Sequence, residues 1–447
     1  MKHTLIYNAT IVNEGKQRKG SVLIADEQIS KIYLEDINPE NIEHDQLIDA
    51  TGCYLLPGVI DDHVHFRDPG LTQKADICSE SQAAAAGGVT SVMDMPNTNP
   101  QTTSIEAWNN KMQAFSEKSC VNYSCYFGAT NSNYELFGLL DKKRVCGVKL
   151  FMGASTGNML VDRMSSLRNI FKNAGMLIAA HCEDQNTIRE NTQKYLQEAG
   201  QEDDLPLSYH PLIRSEQACY LSSSLAIQLA KESGAHLHIM HISTAKELEL
   251  FRSGNLKEKH ITAEACVPHL VFTADDYATH GTRIKCNPAI KAGQRDALRQ
   301  AVNNDVIDAI ATDHAPHLPA NKEGGALKAA SGMPMVQFSL VNMLQLVDEG
   351  VFTIEKVVEK MSHAPAELFE INRRGYVREG YQADLVIVRP HTTWKVTPEK
   401  IFSKCKWSPV EGHTYNWKIE KTFANGRQIF DGVNVDTDYR GQELHFR

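Results

Sequence analysis

The chain has 447 residues, of which 42% are hydrophobic and 23% charged, and a formal net charge of −9. That length exceeds one ordinary core and fits a large barrel with an accessory domain. The acidic balance leaves no electrostatic footprint for nucleic acid or an anionic membrane, although a local pocket can still take a small anion. Ten scattered cysteines with no CxxC pair read as reduced thiols in a cytoplasmic protein. No apolar run reaches the length of a membrane span, and no signal-peptide core is visible.

In chain order, the first fifty-odd residues read as short strands. "TLIYNATIV", "GSVLIADEQISKIYL" and "DQLIDATGCYLLPG" combine β-branched residues with Asn, Gly and Asp turn signals. From Val59 the rhythm changes to strand, loop, helix. The strand that ends at His65 is followed by "GVTSVMDMP", "VNYSCYFGAT", "GVKLFMG", "MLIAAHCED", "AHLHIMHIST", "HITAEACVPH" and "VIDAIATDHAPH". Helical stretches such as "SIEAWNNKMQAFSEKS" and "SEQACYLSSSLAIQLAKESG" lie between them. Eight strands in this alternation predict the α/β class and a (β/α)8 barrel over residues 57–371. Strands return in "ADLVIVRP" and "WKIEKTFANGRQIFDG". Residues 1–56 and 372–447 are therefore expected to build one small β-sandwich domain together.

Working residues of such barrels sit at the carboxyl ends of strands. Those ends carry His63, His65, Lys149, His181, His241 and Asp313, and neutral imidazoles with a carboxylate suit zinc or a similar divalent ion. Strand alternation places His63, His65 and Arg67 on one stripe. It also sets His241 toward the barrel axis with Leu237 and Ile239, which leaves His236 and His238 structural. Lys149 lies inside an apolar strand, where a protonated amine is costly. A neutral amine there can capture carbon dioxide, and the resulting carbamate can bridge two metals.

The segments "DDHVHFRDPGLTQKADICSES", "AAAAGGVTSVMDMPNTNP", "VKLFMGASTGN" and "ATDHAPH" resemble the dihydroorotases of the amidohydrolase superfamily, and "GYVREGYQADLVIVRP" resembles that superfamily's return into its β domain. The resemblance covers nearly the whole chain. It implies a cytoplasmic binuclear zinc enzyme that interconverts dihydroorotate and N-carbamoyl-L-aspartate in pyrimidine biosynthesis. His63, His65 and Asp313 would hold one zinc and His181 and His241 the other, with carboxylated Lys149 between them. Asp313 would also move the proton. Arg67, Asn97 and His317 would grip the substrate carboxylate, and Asn287 would touch the ring. A homodimer is one assembly the resemblance allows.

The sequence departs from the family at Ala289 and Lys291, where similar members carry a second proline and an arginine, and at the single His269 of "VPHL". Rival readings are an allantoinase or dihydropyrimidinase, whose substrates carry no carboxylate, and a non-catalytic partner of aspartate transcarbamoylase. The Gly/Ala/Lys-rich stretch 318–333 is expected beside the substrate.

Overall fold

The computed structural model describes residues 2–153 and 159–447. The barrel strands are β1 (Val59–Val64), β2 (Val89–Asp94), β3 (Asn122–Cys125), β4 (Val148–Phe151), β5 (Ile178–His181), β6 (Leu237–Ile239), β7 (Ile261–Cys266) and β8 (Ala309–Ala311). All neighbours in the ladder pair parallel, and β3 runs on into Phe127–Gly128 beside β4. The barrel closes between β8 and β1, where the His65 amide donates to the His314 carbonyl at 2.7 Å beside a parallel bridge from Val64 to His314. Every residue of β1 and β2 is buried, as a parallel sheet covered by helices requires.

Helix α1 (Ile77–Ala86) starts at Asp76, whose carboxylate accepts from the Ser79 amide at 2.8 Å and satisfies a helix-terminal donor. Its alanines Ala83 to Ala85 are fully buried, and the Ala85 carbonyl accepts from Thr422 of the C-terminal sheet at 2.8 Å. Helix α2 (Ile105–Lys118) places Lys111 against Asp94 at the end of β2, both fully buried. Asp94 also accepts from the Phe66 amide at 2.7 Å. That pair therefore fixes the main chain just ahead of Arg67.

The two chain ends share one mixed sheet. Tyr54–Pro57 lies between His3–Asn13, parallel, and Leu385–Arg389, antiparallel, so the N-terminal half is hydrogen-bonded directly to the C-terminal half. Ile6, Val22, Leu55, Leu385 and Phe423 form its core. The strand His3–Asn13 pairs antiparallel with Lys16–Ala25, shifting register between Ile6 and Ala9, and on its other edge serves Gln46–Asp49 and Tyr54–Pro57.

The tail also makes an excursion onto the barrel between Arg389 and Lys418. There the Lys404 amide donates to Glu80 Oε1 at 2.9 Å, and Trp407 Nε1 donates to the His317 carbonyl at 2.7 Å. Tyr415 donates its hydroxyl to Asn342 Oδ1 at 3.0 Å. Among the described residues no helix is long and apolar enough to cross a membrane.

Candidate active site

A cavity of about 460 Å³ opens at the carboxyl ends of the strands, and all ten residues singled out from the sequence line it. His63 is the penultimate residue of β1 and His181 the last of β5. His65, Asn97, His241 and Asp313 stand just past β1, β2, β6 and β8, and Lys149 lies within β4.

Two local readings need correction. His63, His65 and Arg67 do not share a strand stripe, because β1 stops at Val64 and Arg67 turns into the left-handed region at φ +66°. A register irregularity between Asp61 and Val64 against β2 lets both Asp62 and His63 face inward. Likewise β6 ends at Ile239, and His241 reaches the cavity through a left-handed backbone, φ +42°, rather than by strand parity. It is His238 that points into the barrel, with Nε2 3.6 Å from both Asp62 Oδ2 and Glu264 Oε2. Alternation turns Leu237 and Ile239 toward the helices. His238 keeps its structural reading, with Nδ1 on Thr262 Oγ1 at 2.8 Å, and His236 pairs with His260. Asp313 is left-handed too, φ +49°. Arg67, His241 and Asp313 thus each enter the cavity through a left-handed backbone.

The donors converge. Asp313 Oδ1 lies 3.4 Å from His63 Nε2 and 3.2 Å from His65 Nε2, and one donor atom from each of the three falls within 4.8 Å of the others. His181 Nδ1 faces His241 Nε2 at 2.8 Å. Three of the four rings are aimed from behind. His63 Nδ1 meets Glu264 Oε1 at 2.8 Å, His65 Nδ1 meets Asn97 Oδ1 at 2.7 Å, and His181 Nε2 meets Glu183 Oε2 at 2.9 Å. Such partners set the tautomer and leave the opposite nitrogen's lone pair toward the cavity. Burial holds His65 neutral, down to about 4, and lowers His181 and His241 as well. For Asp313 burial works upward, but the His63 and His65 rings win and keep its carboxyl below the ordinary value. Uncharged imidazoles and an ionised carboxylate are the forms a divalent cation takes, and the buried Nδ1 of His241 has no protein partner. The donor set fits divalent metal.

Lys149 is fully buried. Its Nζ meets the Met240 thioether at 2.7 Å and has no ion-pair partner among the described residues. Burial pulls its pKa down to about 8. The residues that follow it in the motif, 154–158, lie outside the described residues.

Arg67 is only 8% exposed. Nε donates to the Pro316 carbonyl at 3.2 Å, and a terminal nitrogen stands 3.1 Å from His317 Nε2. Neither nearby aspartate neutralises it, since Asp68 pairs with Lys118 at 2.8 Å and Asp62 faces His238. No carboxylate pairs with it among the described residues. His317 is kept neutral by burial and by the Arg67 charge, and its Nδ1 has no partner. Asn287 Oδ1 is buried without a partner at the same cavity.

Sequence reasoning missed the supporting carboxylates. Glu264 and Glu183 sit in "HITAEACVPH" and "AAHCED", and a glutamate inside an apolar strand run was the signal available. It also missed Lys74, Arg214 and Lys285 on the cavity wall. The stretch 318–333 does line the cavity, from Ala326 to Gly332. It is pinned there by Lys322, which donates to the Ala330 and Gly332 carbonyls, each at 2.7 Å. Of the departures, Lys291 is buried on Ser243 Oγ at 3.1 Å, and His269 Nε2 stands 3.0 Å from the Pro288 carbonyl. Neither of these two lines the cavity.

Residues 54–429 match the model of the Amidohydrolase family. The chain belongs to the amidohydrolase family. This amidohydrolase is 31% identical over 419 residues to a dihydroorotase of Methanosphaera stadtmanae, covering 92% of this chain and 94% of that one. It is 30% identical over 437 residues to an allantoinase of Bacillus velezensis, covering 95% and 94%. Among solved structures it is similar to an L-hydantoinase (dihydropyrimidinase) from Arthrobacter aurescens, with TM-score 0.90, 26% identity and 97% of each chain covered. It is thus a hydrolase of cyclic amides acting on a small molecule.

Proposed function

We propose that this amidohydrolase is a cytoplasmic dihydroorotase, which interconverts dihydroorotate and N-carbamoyl-L-aspartate in pyrimidine (UMP) biosynthesis. Arg67 carries the reading. A guanidinium cannot be deprotonated to escape burial, and this one faces the cavity without a carboxylate of its own. An anionic substrate supplies the missing charge. Dihydroorotate carries a ring carboxylate, whereas allantoin and dihydrouracil carry none, so the allantoinase and dihydropyrimidinase readings leave the Arg67 charge without a counter-ion and His317 Nδ1 without a partner. A non-catalytic partner of aspartate transcarbamoylase has no need of the full donor set found here.

In this reading His63, His65 and Asp313 would hold one zinc and His181 and His241 the other, with carboxylated Lys149 as a shared ligand. Bound metal supplies Lewis acidity and lowers the pKa of water. Arg67 and His317 hold the substrate carboxylate. Asn97 has given its oxygen to His65, so its amide nitrogen remains to donate to substrate, and Asn287 meets the ring. Asp313, ionised in the resting site, accepts the proton of the water that attacks the ring amide carbon and returns it to the ring nitrogen as the C–N bond breaks, acting first as base and then as acid.

Metal analysis combined with a carbamoyl-aspartate cyclisation assay tests the reading. The expected result is two zinc ions per chain and turnover of dihydroorotate far above that of dihydrouracil or allantoin. Equal turnover of an uncharged ring would refute it.

A further inference from the structure

The tail excursion lands on both flanks of the Asp313–His317 segment. On one flank the Lys404 amide donates to Glu80 Oε1 at 2.9 Å, and Glu80 Oε2 stands 2.8 Å from His314 Nε2. His314 Nδ1 in turn accepts from the Met335 and Val336 amides at 3.0 and 3.2 Å. On the other flank the Trp407 indole donates to the His317 carbonyl at 2.7 Å. That indole is 3% exposed. Arg283 and Lys322 stand over its ring at 5.6 and 5.9 Å, and Lys322 is the side chain that pins the loop lining the cavity. Trp407 therefore touches, in one place, the backbone of His317 and the anchor of the loop.

We propose that Trp407 is a positioning residue for the carboxylate end of the cavity, supplied by the C-terminal domain to the barrel; the inference rests on the carboxylate reading of Arg67 and His317. Arg67 and His317 meet side by side, and both are held through backbone carbonyls. The Pro316 carbonyl receives Arg67 Nε, and the His317 carbonyl receives Trp407 Nε1. A shift of the Pro316–His317 backbone moves both substrate contacts at once. A buried carbonyl that loses its donor is costly, so the backbone there is held to one position by the indole N–H. Of the metal donors only Asp313 shares this segment, four residues ahead of His317, and the indole's N–H goes to the His317 carbonyl rather than to any donor. The effect on catalysis is therefore expected in KM rather than in metal content.

The test compares wild type with Trp407→Phe, which keeps a ring under Arg283 and Lys322 but removes the N–H. A second chain carries 3-benzothienylalanine at position 407, which keeps the bicyclic shape and replaces only the N–H by sulfur. Each is assayed on dihydroorotate and on dihydrouracil, with metal content and melting temperature measured alongside. Loss of one such hydrogen bond predicts a KM for dihydroorotate raised roughly three- to tenfold. The kcat, the metal content and the slow rate on dihydrouracil stay near wild type. An unchanged KM in the benzothienyl chain overturns the inference, and so does a loss shared equally by both substrates. If wild type itself fails to prefer the carboxylated ring, the functional reading has failed instead, whatever Trp407 does.

Discussion

Glu264 Oε1 lies 2.8 Å from His63 Nδ1, and the same oxygen accepts from the His241 main-chain amide at 3.0 Å. One buried carboxylate on β7 therefore aligns a ligand from each half of the donor set. Glu264→Gln replaces an obligatory acceptor by a group that also donates, which disfavours the tautomer that turns the Nε2 lone pair of His63 inward. Metal affinity is expected to fall about 10- to 100-fold, read by competition titration against a chelator. Unchanged affinity would show that Glu264 plays no aligning role.

Lys149 gives a pH prediction for the metal-free protein. Burial lowers its pKa from 10.5 to about 8, while the unfolded chain keeps the ordinary value. Between those values the unfolded chain binds the extra proton, so stability rises with pH across that window. Below it both states are charged and the full burial cost is present. Urea unfolding of the metal-free chain should show this rise, and Lys149→Met should reduce it by the Lys149 share, leaving that of Lys285 and Lys322, which burial lowers to about 8 and about 7. Lys149→Arg keeps the charge but cannot form a carbamate, so it should bind zinc poorly and be nearly inactive. Normal metal content in that variant rules the carbamate out.

Asp313→Asn removes the proton acceptor while keeping the size of the side chain. Its kcat should fall about a hundred- to ten-thousand-fold, and the pH profile should lose its acidic limb. A residual rate close to wild type assigns the proton transfer to another group.

Lys111→Met leaves Asp94 buried without its cation. Breaking such a pair destabilises by about 3–5 kcal/mol, measurable as a lower urea midpoint. Because Asp94 holds the Phe66 amide, binding of dihydroorotate should weaken in the same variant. Full stability would mean that Asp94 takes up its proton and tolerates the loss.

The barrel was legible because βα alternation is written in hydrophobic period and turn residues, and the donors stood out because histidine is rare at apolar strand ends. What escaped depends on the third dimension. The inward turn of His241 and the departure of Arg67 from its stripe come from single left-handed residues, which strand parity cannot anticipate. Glu264 and Glu183 gain meaning only from rings brought beside them by other strands. Trp407 sits 90 residues from His317, in a tail whose pattern reads only as part of a β domain.

The central claim is that the buried Arg67 guanidinium receives the carboxylate of the substrate. Removing one partner of a buried charged pair costs about 2–5 kcal/mol, on the order of 30- to several-thousand-fold in kcat/KM. The deciding measurement is kcat/KM for dihydroorotate in Arg67→Met, with zinc counted in the same preparation. The account predicts a fall of that size with two zinc ions retained, since Arg67 touches none of the metal donors. A near-normal kcat/KM with normal zinc would contradict it.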